Sequence, residues 1–273
     1  MSRQFQLIAF DVDGTLVNSR KELTPAVKDA VRKARSLGKH IVLSTGRTVD
    51  EVRPLMRELE GVDISICTSG SLIYDFGQDK IISRKSLPEE AIMDIYEVVG
   101  TKDVMVQCMS EGHSVIAEGF LDRLEQYHME QYRPLYTLIG TWVPDIWEYI
   151  LHSGHNVEKI NVYHRTVEDR ADSMMKLRDN AEHVYSEVTS IETTSLGVDK
   201  GQGLREVCGY LGIPIEETIA AGDADNDLSL LKAAGLAVAM GNANDNVRRA
   251  SDVTVADNDH DGAAEAMLRY LIG

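Results

Sequence analysis

Apolar and polar positions fall into two textures along the chain. In the first, short apolar runs alternate with helical spacing. Leu7-Ile8-Ala9-Phe10 is the opening run, and it ends abruptly in Asp11-Val12-Asp13-Gly14-Thr15. Thr24-Pro25 then reads as a helix N-cap with proline at the first helical position. Ala26, Val27, Ala30, Val31, Ala34 and Leu37 follow at helical spacing, and Gly38 closes that helix. His40-Ile41-Val42-Leu43 is a second apolar run, ending at Ser44-Thr45-Gly46-Arg47. A helix from Val49 to Leu59, with Pro54 as an irregularity, leads to a strand from Ile64 to Cys67. Strands of continuous apolar residues alternating with helices predict an α/β fold with a parallel sheet covered on both faces.

From about Ser69 the texture changes. Leu72-Ile73-Tyr74 and Lys80-Ile81-Ile82-Ser83 flank Asp75-Phe76-Gly77-Gln78-Asp79 and predict a hairpin. Residues 84–190 then read as an inserted α+β unit. Its helices are predicted at Pro88–Val99 and Val167–Arg178. Its strands are predicted at Val104–Cys108, Ser114–Ala117, Val157–Tyr163, His183–Ser186 and Ser190–Thr194. Tyr127, Tyr132, Tyr136, Trp142, Trp147 and Tyr149 concentrate within it, and packing explains them better than a ligand platform does. The first texture returns with a helix at Gly203–Leu211 and a strand at Thr218–Ala221. That strand runs into Gly222-Asp223-Ala224-Asp225-Asn226-Asp227, the densest acidic cluster of the chain. A helix from Leu228, a strand at Leu236–Met240, a helix at Asn244–Ala250, a strand at Val253–Val255 and a helix at Ala263–Leu271 complete it. The expected division is therefore a discontinuous core of residues 1–83 and 191–273 with 84–190 inserted.

Composition narrows the class. With 273 residues there is room for a full core and a second, smaller unit. Hydrophobic residues at 43% and charged residues at 26% are ordinary for a soluble protein. No apolar run is long enough to span a bilayer, and Met1-Ser2-Arg3-Gln4 is no signal peptide. Cys67, Cys108 and Cys208 lie far apart in apolar segments, so buried thiols in a reducing, cytoplasmic setting are expected. A net charge of −16 argues against nucleic acid or an anionic membrane as partner. It also opposes an anionic substrate unless a cation or a local Lys/Arg group offsets it.

The acidic strand ends supply that offset. Asp11 and Asp13 point the same way provided that the strand continues through them, and like charges there are tolerable with a cation between them or with one protonated. Two strands about two hundred residues apart both end in Asp-x-Asp. A third ends in hydroxyls and a glycine, and Lys200 opens a helix nearby. In such sheets ligands gather at the carboxyl ends of the strands. Carboxylates converging there suit a hard divalent cation, Mg²⁺ above all, which takes one or two protein carboxylates and completes its shell with water and phosphate oxygens. Thr45, the Gly46 amide and Lys200 could then cradle the remaining phosphoryl oxygens. Competing motifs are weaker. Asp257-Asn258-Asp259-His260-Asp261-Gly262 begins like a calcium-binding loop, but Leu268 stands where that loop needs a glutamate. His152 and His155 lack an acidic or cysteine partner at zinc-ligand spacing, and no Gly-rich lysine loop of the triphosphatase kind is present.

Taken in order, Asp11-Val12-Asp13-Gly14-Thr15, Ser44-Thr45-Gly46-Arg47, Lys200 and Gly222-Asp223-Ala224-Asp225-Asn226-Asp227 resemble the four motifs of the haloacid dehalogenase-like phosphohydrolases. The resemblance is to the Cof-type branch with a large inserted cap, and it covers nearly the whole chain. It implies a Rossmann-like core and a cap at 84–190 that closes over substrate and sets specificity. It makes Asp11 the nucleophile that forms an aspartyl-phosphate, and Asp13 the acid and base for the leaving oxygen and the hydrolytic water. Thr45 and Lys200 would stabilise the transferring phosphoryl group. Mg²⁺ would be held by Asp11, the Asp13 backbone carbonyl and Asp223. Asp227 would lie behind, as a ligand through water or as the residue orienting Lys200. Asn226 would touch phosphate or fix its loop, and Arg47 would reach substrate beneath the cap.

The activity so implied is Mg²⁺-dependent hydrolysis of a small phosphorylated metabolite, such as a sugar phosphate or a phosphorylated cofactor. The alternatives are a phosphomutase using the same aspartyl chemistry and a non-catalytic phosphosugar-binding regulator. Either a monomer or a homodimer fits the sequence. One departure stands out: Ser69-Gly70 occupies the place where this branch commonly carries Asn-Gly, which puts any substrate contact there in doubt.

Overall fold

A computed structural model of the chain describes residues 4–152 and 154–273. They form two compact units. The first takes in the described residues up to Arg47, Val52–Ser83 and Asp199–Gly273; the second takes in Thr48–Glu51 and Arg84–Val198. No helix among the described residues is long and apolar enough to cross a membrane.

The chain begins with β1 (Leu7–Phe10), α1 (Pro25–Ser36), β2 (His40–Ser44), α2 (Val49–Glu58) and β3 (Ile64–Cys67). The hairpin strands β4 (Leu72–Asp75) and β5 (Lys80–Arg84) follow. α1 starts where the Thr24-Pro25 signal puts it, with the Thr24 hydroxyl accepting from the Val27 amide at 3.3 Å. In the second unit come α3 (Glu89–Val99), β6 (Met105–Ser110), β7 (His113–Ala117), α4 (Phe120–Arg123) and α5 (Arg133–Ile139). Then follow β8 (Thr141–Val143), α6 (Ile146–His152), β9 (Val157–Tyr163), α7 (Val167–Lys176), β10 (Glu182–Ser186) and β11 (Ser190–Thr194). The first unit resumes with α8 (Lys200–Leu211), β12 (Thr218–Gly222), α9 (Leu228–Ala233), β13 (Leu236–Ala239), α10 (Asp245–Ala250), β14 (Val253–Thr254) and α11 (Gly262–Ala266). α11 runs on as a wider turn over Met267–Ile272.

The first unit is built on an eight-stranded sheet, ordered β14-β13-β12-β1-β2-β3-β4-β5. β1 lies at its centre, parallel to both β2 and β12, and only the β3–β4 step of the registered pairs is antiparallel. Leu7, Ala9, Val42, Ile64, Ile66 and Ala220 bury one sheet face against Leu204, Val207 and Cys208 of α8 and Leu230 and Leu231 of α9. Ile8, Phe10, Ile41 and Leu43 alternate with them and are also buried, on the side where α1 packs with α11. Burial on both faces is why these strands read as continuous apolar runs.

The second unit carries a six-stranded sheet, ordered β10-β11-β9-β6-β7-β8, with an apolar face of Val106, Cys108, Val115, Ile160 and Val162 against Ile92, Ile95 and Ile150 of α3 and α6. Its aromatic stretch packs as a core: Tyr127 is fully buried, and the Phe120 and Tyr136 rings meet edge-on at 5.3 Å. Trp142 is partly exposed. His155 stacks on Tyr149, and His152 lies near Glu148.

The structure corrects one boundary. Residues 191–194 were expected in the core, but Ser190–Thr194 pairs with β9 and β10, so the second unit runs to Val198. A five-residue alternating strand reads the same in either sheet, and its partners are not in its own sequence.

Candidate active site

β1 hands the chain to the site. The Asp11 amide still bonds the Ala221 carbonyl of β12, at 3.0 Å, but the strand ends there. Leu16 and Val17 both donate their amides to the Val12 carbonyl at 3.1 Å, closing a turn. The alternation that would have aimed Asp11 and Asp13 the same way therefore stops at Phe10. The two carboxylates have different surroundings: Asp11 is buried, whereas the Asp13 side chain is 30% exposed.

Asp11 faces Lys200. The Lys200 ammonium donates to Asp11 Oδ1 at 2.5 Å and to Asp227 Oδ1 at 2.7 Å, and all three side chains are buried. Lys200 is the first residue of α8, whose N-cap Asp199 accepts from the Gln202 amide at 2.7 Å. Two glycines let this helix end come close. A Cβ on Gly201 would sit 2.3 Å from the Ser229 carbonyl oxygen, and one on Gly203 would sit 2.5 Å from the Ile66 side chain. The other Asp227 oxygen accepts the Asp223 and Ala224 amides at 3.0 and 3.2 Å. Asp227 thus braces its own loop and orients the lysine at once. Asp223 Oδ1 accepts from the Thr15 hydroxyl at 2.8 Å. Gly14, at φ +83°, lies so close that a Cβ there would meet the Asp223 carboxylate at 2.5 Å.

Electrostatics follow from this crowding. Burial, with the Asp227 charge beside it, pushes the Asp11 carboxyl well above its ordinary range, although Lys200 works the other way. Burial also raises Asp223 to about 6. Burial alone would lower Lys200, but the Asp11 and Asp227 carboxylates outweigh it and hold the ammonium charged. Burial pushes Asp13 up too, yet Arg47 and Lys21 prevail and bring its carboxyl down to about 2. Arg47 grips it with two bonds of 2.8 Å and Lys21 with one of 2.7 Å. Arg47, expected to reach substrate, is thus engaged by Asp13 here.

The remaining expected residues surround the same sheet edge. Thr45 is buried at the end of β2; its hydroxyl accepts the Arg47 amide at 3.2 Å, and its own amide bonds the Ile66 carbonyl. Gly46 is half-buried in the same loop, and Asn226 is exposed on the turn Asp225–Asp227. Ser69 sits at φ +58°, a left-handed backbone that favours asparagine or glycine, and its amide bonds the Thr45 carbonyl at 2.9 Å. Two polar residues of the site escaped sequence reasoning. Thr15 lay inside the first motif without a role. Lys21 lay in a polar turn with no local signal, and the structure holds it at φ +63° with its ammonium on Asp13.

Asp11, Asp223 and Asp227 each offer an oxygen, and these lie within 4.8 Å of one another. An all-oxygen carboxylate set of this kind fits a hard divalent cation of the Mg²⁺ type, and buried carboxyls pushed upward gain most from one.

Comparisons with known proteins bear on the family and the fold. The family model of haloacid dehalogenase-like hydrolases matches residues 8–267. The 5-amino-6-(5-phospho-D-ribitylamino)uracil phosphatase YcsE of Bacillus subtilis is 28% identical over 98% of this chain and 96% of its own length. The pyridoxal phosphate phosphatase YbhA of Escherichia coli is 26% identical over 98% and 99%. Among solved structures, a haloacid dehalogenase-like hydrolase from Bacteroides thetaiotaomicron superposes with a TM-score of 0.83 at 27% identity, covering 97% of this chain and 99% of that one. A HAD subclass IIB sugar phosphatase superposes at 0.81 with 24% identity, covering 98% and 100%, which bears on the fold alone. With the family matched along almost the whole chain and relatives of nearly equal length carrying phosphatase names, this chain belongs to the haloacid dehalogenase-like hydrolases, as a phosphatase of that family.

Proposed function

We propose that the protein is a Mg²⁺-dependent phosphatase that hydrolyses a small phosphomonoester, a sugar phosphate or a phosphorylated cofactor, through an aspartyl-phosphate on Asp11. The observation that carries this reading is the buried cluster in which Lys200 bridges Asp11 and Asp227 beside Asp223. Asp11 is the nucleophile: its carboxylate attacks phosphorus, and the ester oxygen departs. Lys200 holds that carboxylate in one orientation and offsets negative charge as the phosphoryl group arrives. Thr45 and the Gly46 amide serve the outer phosphoryl oxygens, and Asn226 touches phosphate or fixes its loop. Asp11, the Asp13 backbone carbonyl and Asp223 would hold Mg²⁺, with Asp227 behind them. Bound there, it would supply positive charge to the phosphate oxygens.

Asp13 serves the leaving group and then the hydrolytic water. Held at about 2, its carboxyl is a poor proton donor. An incoming phosphate dianion competes for Arg47 and Lys21, and as those cations turn toward it the Asp13 carboxyl rises toward a useful range. The second unit is assigned to substrate discrimination. The named substrates of the two relatives, a phosphoribitylamino-uracil and pyridoxal phosphate, support the class of small phosphomonoesters.

The test is phosphate release from an aryl phosphate and a panel of phosphorylated metabolites, with Mg²⁺ and with chelator. Chelator-sensitive release without added bisphosphate is the expected result. Absence of release under both conditions would move the assignment to a mutase or a binding protein.

A further inference from the structure

The turn that follows Asp13 is held from outside by a second set of polar side chains. Asn242, on the loop after β13, donates its side-chain amide to the Gly14 carbonyl at 2.8 Å, and its Oδ1 accepts the Asn258 amide at 3.2 Å. Asn258 Nδ2 in turn donates to the Val17 carbonyl at 3.0 Å. Asp259 Oδ1 accepts the Ser19 amide at 2.8 Å, and Asp261 Oδ1 accepts the Thr24 hydroxyl at 2.6 Å. The acidic run Asp257–Gly262, which opens like a calcium-binding loop, therefore spends these oxygens on the segment between Val17 and Thr24. The same short loop also holds the other acidic strand end: the Asn244 amide bonds the Asp223 carbonyl at 3.0 Å.

We propose that Asn242 is a positioning residue of the active site: by donating to the Gly14 carbonyl it sets the turn that carries the Asp13 backbone and seats Gly14 against the Asp223 carboxylate. Gly14 and Asp223 are packed to the limit of contact. Loss of the bond frees the Gly14 peptide to rotate, and with it the spacing of the two acidic loops. Asn242 is exposed and touches neither Asp11 nor Lys200 by any of its hydrogen bonds, so its role is indirect. Outer residues of this kind govern metal affinity by holding the groups that ligate. The inference rests on the phosphatase reading above.

The experiment compares wild type with Asn242→Ala and Asn242→Asp by calorimetric titration with Mg²⁺ alone, by kcat and KM on an aryl phosphate, and by thermal midpoint without metal. Both variants should bind Mg²⁺ about tenfold more weakly and lose about tenfold in kcat, with KM little changed. Their metal-free midpoints should stay within about 2 °C of wild type, because the side chain is at the surface. Asn242→Asp is the sharper arm. It keeps the acceptor for Asn258 and adds a negative charge, which by Coulomb attraction alone would tighten Mg²⁺ binding. Weaker binding in that variant isolates the lost donation to Gly14. Mg²⁺ binding equal to or tighter than wild type, with unchanged kcat, overturns the proposal. If wild type itself releases no phosphate, the function proposed above fails, while the calorimetric comparison still decides the role of Asn242.

Discussion

Among the described residues, the two lysines that are almost completely buried, Lys159 and Lys200, show what separates the candidate active centre from a structural ion pair. Lys159 lies in the middle of β9 and pairs with Glu192 of β11 at 3.0 Å, inside a sheet that presents Gln107, Asn161 and Tyr163 to the same face. Lys200 stands at the first position of a helix between two buried carboxylates, with Asp223 close by. Lys159 meets a half-buried carboxylate that also accepts from the Ser186 hydroxyl at 2.8 Å. One cation against three is left with negative charge, and burial makes that surplus costly unless a further cation joins it. The surplus, rather than burial of charge as such, marks the site.

The largest effects should come from disturbing the surplus cluster. Lys200→Met removes the bridge and leaves Asp11 facing Asp227. Phosphate release should fall by at least about a hundredfold. Urea unfolding at pH 7.5 should show a loss of about 3 kcal/mol. The loss should shrink as pH falls and Asp11, already raised by burial, takes up a proton. An active, fully stable Lys200→Met protein would erase the contrast between the two lysines.

Lys159→Met should also destabilise, by about 2 kcal/mol, because half-buried Glu192 loses its ammonium. Its kcat on a small aryl phosphate should nevertheless stay within about threefold of wild type. Restoring stability with Lys159→Met combined with Glu192→Gln would confirm that this pair is structural. A thousandfold loss of turnover in well-folded Lys159→Met would break the comparison.

A smaller effect of opposite sign is expected at Asp223. Its carboxyl is raised to about 6, above its unfolded value near 3.9, so the fold favours its protonated form. That contribution is fully present below about pH 4 and is lost as pH rises through about 6. At pH 7.5 without divalent metal, Asp223→Asn should therefore be more stable than wild type by about 1 kcal/mol, while turnover is lost. The advantage should vanish near pH 4, where wild-type Asp223 is already neutral. Thermal melts at both pH values in chelator measure this, and lower stability of the variant at pH 7.5 would refute it.

The legibility of the molecule follows the same division. The core sheet was readable because strands buried on both faces are continuous apolar runs, and each run stops at a conspicuous polar group: Asp11, Thr45 or Asp223. Lys200 was readable as the residue opening a helix after Gly197-Val198-Asp199. Asp13 was found but its orientation was not, because β1 ends at Phe10 and the Val12 carbonyl closes a turn that no spacing announces. Lys21, Thr15 and Asn242 act through contacts with side chains or carbonyls that are distant in sequence or hidden in turns. Asn242 lies 228 positions from Gly14. The edge of the second unit was misplaced at residue 190 because only the pairing of Ser190–Thr194 with β9 assigns that strand.

The central claim is that Asp11 carries the phosphoryl group. Acid quenching of wild type during turnover of an aryl phosphate with Mg²⁺, followed by peptide mass analysis, tests it most directly. The account predicts a phosphate-sized mass increment on the peptide containing Asp11, absent from Asp11→Asn, which should have lost at least about a thousandfold in turnover. Undiminished phosphate release by Asp11→Asn, or the increment on a peptide that lacks Asp11, would contradict it.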